Sequence, residues 1–289
     1  MTPAPTICLG FDFDGISVWP ASFGLTGATA ISRGEFCARV AAPRILRLLE
    51  REQVKATFFT PGHTVESFPE VCREIVAAGH EMAHHGYFHE SPVGLDEAAE
   101  RAVIERGLEA LDRVLGVRPS GYRSPAFDLS PNSTRLLVEY GFSYDSSMMA
   151  QDFEPYWART GDVLHQDRAF EFGPELDLVE LPVSWSLDDF PQLEFVLSPP
   201  IAVAGMNEPG KVERMWLGDL DWMVEEVPGG VFGMTMHPQS IGRGARMRVL
   251  EALIARGKHH GARFRTCAEA AEQWRSTAPA RRGAHAPAA

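Results

Sequence analysis

Two aspartates that end an apolar segment are the first residues in this chain that could do chemistry. Asp12 and Asp14 close the run over residues 6–14, and Phe13 separates them. Alternate residues of a strand point to the same face, so the two carboxylates are neighbours. Like charges that close need a metal ion, an arginine or a shared proton to offset their repulsion. The alternative is an Asx turn into Gly15 that leaves one aspartate in solvent.

Two histidines at an interval of four follow another apolar segment. His85 and His89 are separated by Gly-Tyr-Phe, a spacing that lets both imidazoles converge on one ion. By spacing alone, a pair of surface or core histidines is the simpler interpretation, because the chain has ten histidines and His80 with His84 repeats the interval. Adding Asp14 completes an open ligand set for Zn²⁺ or Fe²⁺ that leaves room for water and substrate.

Three further polar points end short apolar segments. Arg123 precedes Ser-Pro, Asp188 and Asp189 follow Trp-Ser-Leu, and His237 closes the segment Met-Thr-Met. A lone histidine after an apolar strand is more often a hydrogen-bonded structural residue than a catalyst. Asp188 and Asp189 could likewise belong to a solvated turn without a catalytic role.

The strands and helices that carry these residues decide whether they can meet. Short apolar runs alternate with helical patterns through most of the chain, which indicates β/α units and a largely parallel sheet. Strands are predicted over residues 6–14, 54–60, 83–89, 121–124, 178–182, 230–237 and 262–266. Helices are predicted over residues 35–52, 67–79, 96–115, 130–141, 244–257 and from 267 through 274. Ser67 with Glu70 has the form of a capping box. The first strand lacks a Gly-rich phosphate turn, so a barrel is favoured over a dinucleotide-binding sheet, and in a barrel the strand ends carry function.

The order of these motifs carries a resemblance. Asp-x-Asp, His-x-x-x-His, Arg-x-Pro, Trp-x-x-Asp-Asp and His-Pro together resemble the polysaccharide deacetylase family, also called carbohydrate esterase family 4 or the NodB homology domain, over residues 6–275. Residues 31–34 (Ile-Ser-Arg-Gly), 61–63 (Pro-Gly-His) and 153–156 (Phe-Glu-Pro-Tyr) resemble an intracellular branch. That branch holds bacterial peptidoglycan deacetylase-like proteins, cyclic imidases and metal-independent allantoinases.

The resemblance implies a distorted (β/α)7 barrel that hydrolyses an amide C–N bond other than a peptide bond. It implies one divalent metal ion, Zn²⁺, held by Asp14, His85 and His89. By the same likeness Asp12 is the general base that activates water, and Arg123 keeps it ionised.

The resemblance also implies a general acid. His237 would protonate the leaving nitrogen, and either Asp188 or Asp189 would orient it, with Asp189 favoured. Three departures from the family pattern stand out: Phe13 between the aspartates, Gly86 where many members have Ser or Thr, and residues 126–127 (Ala-Phe) where an aromatic-Gly pair commonly contacts the sugar.

Composition and charge limit the partners. The chain has 289 residues, of which 45% are hydrophobic and 23% charged, so a globular core is expected. Its net charge of −12 makes nucleic acid and anionic lipid poor partners. The first residues carry no basic side chain and no apolar run reaches the length of a membrane span, so we expect a cytoplasmic protein without a signal peptide. Four widely spaced cysteines are expected to be buried free thiols.

We expect one catalytic domain over residues 1–275, with an insertion or long loop over residues 146–178 and a tail over residues 276–289. The resemblance implies a homo-oligomer. The substrate is expected to be an N-acetylated sugar or a small cyclic amide or imide, with aromatic residues of the insertion closing a compact pocket in the second case. The alternative is a barrel of the same fold that binds a ligand without turning it over.

Overall fold

The computed structural model describes residues 3–282, which form eleven strands and twelve α-helices. The strands are β1 (Thr6–Asp12), β2 (Thr57–Thr60), β3 (Glu81–His84), β4 (Gly121–Tyr122), β5 (Tyr144–Asp145), β6 (Tyr156–Arg159), β7 (Glu175–Glu180), β8 (Phe195–Ser198), β9 (Ile201–Ala204), β10 (Val231–Met236) and β11 (Arg263–Arg265). The helices are α1 (Val18–Phe23), α2 (Ala28–Phe36), α3 (Ala42–Glu52), α4 (Gly62–Ser67), α5 (Pro69–Ala77), α6 (Glu97–Leu115), α7 (Ser133–Glu139), α8 (Asp189–Leu193), α9 (Pro209–Glu226), α10 (Pro238–Ile241), α11 (Met247–His259) and α12 (Cys267–Arg275).

Seven parallel strands form the main sheet in the order β10, β1, β2, β3, β4, β5 and β7. Strand β6 adds to β7 in the antiparallel direction, and β11 pairs with the first half of β1 while β2 pairs with its second half. The sheet curls into a half-barrel, and a parallel bridge between Asp188 and Thr235 brings the segment after β7 beside β10. The predicted distorted barrel of seven β/α units is confirmed in this form.

Strand β1 lies between β10 on one side and β2 and β11 on the other, and its buried faces explain why Asp12 faces inward. Ile7, Leu9 and Phe11 pack with the outer core, which includes residues of α3, α9 and α11. Cys8, on the opposite face, packs with residues of α12 in the interior. Because both faces are buried, the strand is apolar without alternation. The period of two then places the side chain of Asp12 on the interior face.

The helix predicted over residues 35–52 is longer and broken by a π-helical turn. It starts with α2, passes through a π-helix over Cys37–Ala41 and continues as α3. The capping box predicted at Ser67 is wrong, because the Ser67 hydroxyl donates back to the His63 carbonyl at 2.7 Å and α5 has Phe68 at its N-cap without a side-chain hydrogen bond. Helix α9, eighteen residues long, was absent from the sequence prediction.

The segments outside the main units are placed as follows. Residues 146–178, expected as an insertion or long loop, contain β6 and the first part of β7. Residues 283–289 of the expected tail lie outside the described residues. In the earlier part of that tail, the Pro279 carbonyl accepts a hydrogen bond from the Trp157 indole at 2.8 Å. The thiol prediction is confirmed, since all four cysteines are free and buried. Among residues 3–282, every helix is too short or too polar to cross a lipid bilayer.

Candidate active site

The predicted site residues meet at the carboxyl ends of the parallel strands. Strands that run in the same direction present these ends at one edge of the sheet, so residues far apart in sequence become neighbours. All of the predicted side chains are buried there: Asp12, Asp14, His85, His89, Arg123, Asp188, Asp189 and His237. The burial of both Asp12 and Asp14 excludes the solvated Asx turn considered above.

One aspartate and two histidines form a ligand set for a cation. Asp14 Oδ1 lies 3.6 Å from His85 Nε2 and 3.8 Å from His89 Nε2. The ligand atoms of the three residues all lie within 4.8 Å of one another. Asp14 Oδ1 is fully buried and accepts no hydrogen bond from the described residues. A buried carboxylate oxygen without a donor, facing two imidazole nitrogens, fits a divalent metal ion.

The two imidazoles are held in the state that binds metal. His85 Nδ1 donates to the Arg123 carbonyl at 2.7 Å, which leaves the Nε2 lone pair free to face Asp14. His89 Nδ1 lies 2.9 Å from the Ser22 hydroxyl. Burial lowers the pKa of both histidines, and that of His89 falls well below its usual range. Neutral histidines with their outer nitrogen bonded are the usual form of metal ligands.

Asp12 is held as an ionised carboxylate by a buried arginine. Arg123 Nη1 donates to Asp12 Oδ1 at 2.7 Å, and the other guanidinium nitrogens bond Ser146 O at 3.0 Å and Ser146 Oγ at 2.9 Å. Burial opposes ionisation of Asp12, but the guanidinium and two nearby imidazoles outweigh it and lower the pKa of Asp12. Gly10 makes room for this pair, since a Cβ there would lie 2.9 Å from Arg123 Nη1. A buried, ionised carboxylate is suited to accept a proton.

His237 is paired with a carboxylate on its outer nitrogen. His237 Nδ1 donates to Asp189 Oδ1 at 2.7 Å, whereas Asp188 Oδ1 is 3.6 Å away. Asp189 also accepts the backbone N–H groups of His237 and Ile241, both at 2.9 Å. Burial works against the imidazolium, but the two aspartates outweigh it and raise the pKa of His237 well above its usual range. His237 Nε2 lies 4.0 Å from Asp12 Oδ2, so a proton donor and a proton acceptor face the same space.

A cavity of about 310 Å³ opens onto Asp12, His89, Asp188 and His237. Its aromatic walls come from Phe23, Phe127, Trp185 and Phe190, with Phe127 and Trp185 ring centroids 4.7 Å apart. The prediction that aromatic residues of the segment 146–178 close the pocket is wrong, because that segment is not part of the lining. Its Phe153 packs instead in the outer core, a placement that periodicity in an irregular segment does not reveal.

The loop after β4 reaches the cavity in an unusual conformation. Ala126 and Phe127 both have positive φ, 56° and 57°. Side chains in this region cost on the order of 1–3 kcal/mol each and occur where the surroundings enforce them, often at ligand sites. These residues replace the aromatic-Gly pair of the family pattern, and the strained turn puts the Phe127 ring in the cavity wall.

Other motifs support the site from outside. His63 Nδ1 lies 3.0 Å from Ser17 Oγ, and the Thr64 hydroxyl donates to the Asp14 carbonyl at 2.5 Å, so His63 of the motif and the adjacent Thr64 together hold the turn that follows Asp14. Arg33 donates to Glu194 at 2.6 Å.

Two polar residues in contact with the ligand set were missed from the sequence. Ser22 reaches His89, and Gln239 Nε2 donates to Asp14 Oδ2 at 3.1 Å. Gln239 lies two residues after His237 in the chain, and this proximity was the available sequence signal for it. Ser22 lies 67 residues before His89, and no sequence signal pointed to it.

Comparison with known proteins gives the family. A model of the polysaccharide deacetylase family matches residues 34–144. A peptidoglycan deacetylase of Helicobacter pylori is 36% identical over 280 residues, covering 93% of this chain and 95% of the relative. A peptidoglycan deacetylase-like protein of Gibberella zeae is 28% identical and covers 93% of this chain and 86% of its own length.

Solved structures agree with this family. A Mycobacterium smegmatis protein assigned to the polysaccharide deacetylases is 35% identical, with a TM-score of 0.83 over 100% of this chain and 96% of its own. The Puue allantoinase has the same fold, with a TM-score of 0.75 at 24% identity over 96% of this chain and 91% of its own. The chain thus belongs to the polysaccharide deacetylase family and is a deacetylase-like hydrolase of carbon–nitrogen bonds other than peptide bonds.

Proposed function

We propose that this chain is a metal-dependent amidohydrolase whose substrate is a small cyclic amide or imide. The observation that carries the metal dependence is Asp14 Oδ1, buried without a hydrogen-bond donor and facing His85 Nε2 and His89 Nε2. These three residues would hold one divalent cation, Zn²⁺. Bound there, Zn²⁺ would lower the pKa of a water molecule to about 7 and polarise a carbonyl group.

The chain's own residues supply the proton transfers. Asp12, kept ionised by Arg123, accepts a proton from the attacking water. His237 is kept protonated by the hydrogen bond from its Nδ1 to Asp189, and it donates a proton from Nε2 to the leaving nitrogen. The 4.0 Å between Asp12 Oδ2 and His237 Nε2 lets both reach one scissile C–N bond, so the proton taken at one end is matched by a proton given at the other.

The cavity supports the small substrate. Its polar side chains belong to Asp12, Ser22, His89, Asp188 and His237, and each is engaged in the ligand set or the acid–base pair. Beyond these, the described lining offers only the indole N–H of Trp185 as a side-chain donor to sugar hydroxyls. Aromatic walls around about 310 Å³ suit a compact planar ring, which gains from stacking and apolar burial.

The second candidate substrate is an N-acetylated sugar. It is supported by the names of two relatives, a peptidoglycan deacetylase and a peptidoglycan deacetylase-like protein, which match this chain over nearly its whole length. Both candidates use the same groups on the C–N bond, so the cavity walls would decide between them.

A hydrolysis screen of the zinc-loaded protein tests the proposal. Acetylated amino sugars, succinimide-like imides and ureides are compared, and we expect kcat/KM on an imide to exceed that on any acetylated sugar by at least about tenfold, the scale on which a shaped pocket discriminates. Trp185→Ala should weaken imide turnover through KM, while Phe170→Ala, outside the cavity, is the matched control. Faster sugar deacetylation would assign the second substrate, and hydrolysis of none of these amides at full zinc occupancy would refute the amidohydrolase.

The single catalytic domain over residues 1–275 and the homo-oligomer stay predictions. Light scattering of the purified chain measures the second directly.

A further inference from the structure

The second oxygen of Asp14 begins a chain of buried hydrogen bonds. Asp14 Oδ2 accepts from Gln239 Nε2 at 3.1 Å, and Gln239 Oε1 accepts from the Cys37 thiol at 3.0 Å. All three residues have no exposed surface. The contacts join the turn after β1, the start of α10 and the π-helical turn between α2 and α3. Residues 202 and 225 positions apart in sequence thus converge behind one carboxylate.

The donors fix the direction of this chain. Burial raises the pKa of the Cys37 thiol well above its usual range, so the group stays an S–H donor. The side-chain oxygen of Gln239 must therefore face Cys37, and its amide NH₂ faces Asp14. Cys37 opens the π-helix Cys37–Ala41, and π-helical turns are frequent at functional sites.

We propose that Gln239, oriented by Cys37, is a positioning residue that makes Asp14 a one-oxygen metal ligand. Gln239 occupies Oδ2, and Oδ1 alone remains for the cation between His85 and His89. The inference rests on the proposed metal site. A single carboxylate oxygen with two imidazoles suits a four-coordinate ion such as Zn²⁺, whereas larger ions of higher coordination number use both oxygens of a carboxylate. Gln239 thereby contributes to the choice of metal.

A purely structural role predicts a different result. If Cys37 and Gln239 only fill the core, their replacement lowers the stability of the metal-free protein and leaves the preference among metals unchanged. If they position Asp14, replacement changes zinc affinity and coordination geometry even where stability is preserved. The difference is measurable without substrate.

The experiment uses the full chain stripped by a chelator and reloaded with Zn²⁺ or Co²⁺ alone. The variants are Gln239→Leu, which removes the amide, Cys37→Ala, which removes the donor, and Cys37→Ser, which keeps one. Cys72→Ala, a buried cysteine in α5, is the matched control. The readouts are Kd from competition with a chromophoric chelator, the visible spectrum of bound Co²⁺, and urea unfolding of the metal-free chain.

We expect Gln239→Leu to weaken zinc binding by about 10- to 100-fold, the usual effect of losing a partner of a metal ligand. The Co²⁺ spectrum should weaken as the ion gains a second carboxylate oxygen. Cys37→Ala should show part of this loss, Cys37→Ser should recover it, and Cys72→Ala should match the parent chain.

Unchanged zinc Kd and Co²⁺ spectrum in folded Gln239→Leu would overturn the inference, and so would equal losses in Cys37→Ala and Cys72→Ala. If Gln239→Leu does not fold, the Cys37 pair decides alone. A parent chain that binds no zinc would instead refute the proposed metal site, and the inference with it.

Discussion

Replacing Asp189 by asparagine tests how the proposed general acid is held. Asp189 accepts three hydrogen bonds, from His237 Nδ1 at 2.7 Å, His237 N at 2.9 Å and Ile241 N at 2.9 Å. The first two share Oδ1 and the third uses Oδ2. Asparagine has one carbonyl oxygen, so its NH₂ must face either the histidine donors or the N–H of Ile241.

The cost follows from these contacts. A charge-assisted bond contributes about 1.5–3 kcal/mol, and a buried donor left without a partner costs about 1–3 kcal/mol. If the bond to His237 Nδ1 is lost, kcat/KM should fall roughly 10- to 150-fold, because each factor of ten corresponds to about 1.4 kcal/mol. Losing the nearest carboxylate should also lower the pKa of His237, so the alkaline limb of the pH profile should move to lower pH. Asp188, at 3.6 Å, preserves part of the effect.

The assay has two independent parts, the pH dependence of kcat/KM on the amide found by the screen and an NMR titration of the His237 imidazole. Asp188→Asn is the matched control, because asparagine can still accept the Phe190 N–H that now bonds Asp188 Oδ1 at 2.7 Å and serves equally well as an N-cap. We expect this control to lose less than about tenfold, as expected for a more distant charge. A larger loss in Asp188→Asn than in Asp189→Asn, or an unshifted His237 titration in Asp189→Asn, would refute this reasoning.

Three other predictions address the remaining groups. Elemental analysis should find about one equivalent of divalent metal, and His85→Ala should lose most of it. Asp12→Asn should keep the metal while its turnover falls about 10²- to 10⁴-fold. Loss of metal in Asp12→Asn would make Asp12 a ligand. The pH profile of kcat/KM should be bell-shaped, with the lowered pKa of Asp12 on the acid side and the raised pKa of His237 on the alkaline side. His237→Ala should lose the alkaline limb, and its kcat/KM should fall less on an imide than on a plain acetamide. Equal losses on both substrates would leave His237 a structural residue. The buried pair Asp145 and Glu180 should reduce stability as pH rises, because burial raises the pKa of Asp145 to about 6 and that of Glu180 well above its usual range, so the folded state binds protons that the unfolded state releases from about pH 4 upward. Urea unfolding of Glu180→Gln should show a weaker dependence of the unfolding free energy on pH between pH 4 and 7, and an unchanged slope would contradict the raised pKa of Glu180.

The sequence alone determined most strands of the parallel sheet, though not β5, and the identity of the main chemical groups. Apolar runs separated by helical patterns predict parallel strands, and parallel strands bring their carboxyl ends to one edge. Asp12, His85 and His237 could therefore be assigned to one site from their positions after such runs. These inferences are local, since they need only the pattern of each segment and the direction of its strand.

Only the tertiary structure decided which neighbour each group has. Asp188 and Asp189 look alike in the sequence, and the distances of 3.6 and 2.7 Å to His237 arise from where the chain crosses beside β10 and α8 begins. Gln239 is 225 residues from Asp14, and Ser22 is 67 from His89. Side chains at such separations meet through packing of whole elements, and no spacing rule within one segment encodes that packing. The cavity walls were misassigned to the segment 146–178 for the same physical reason.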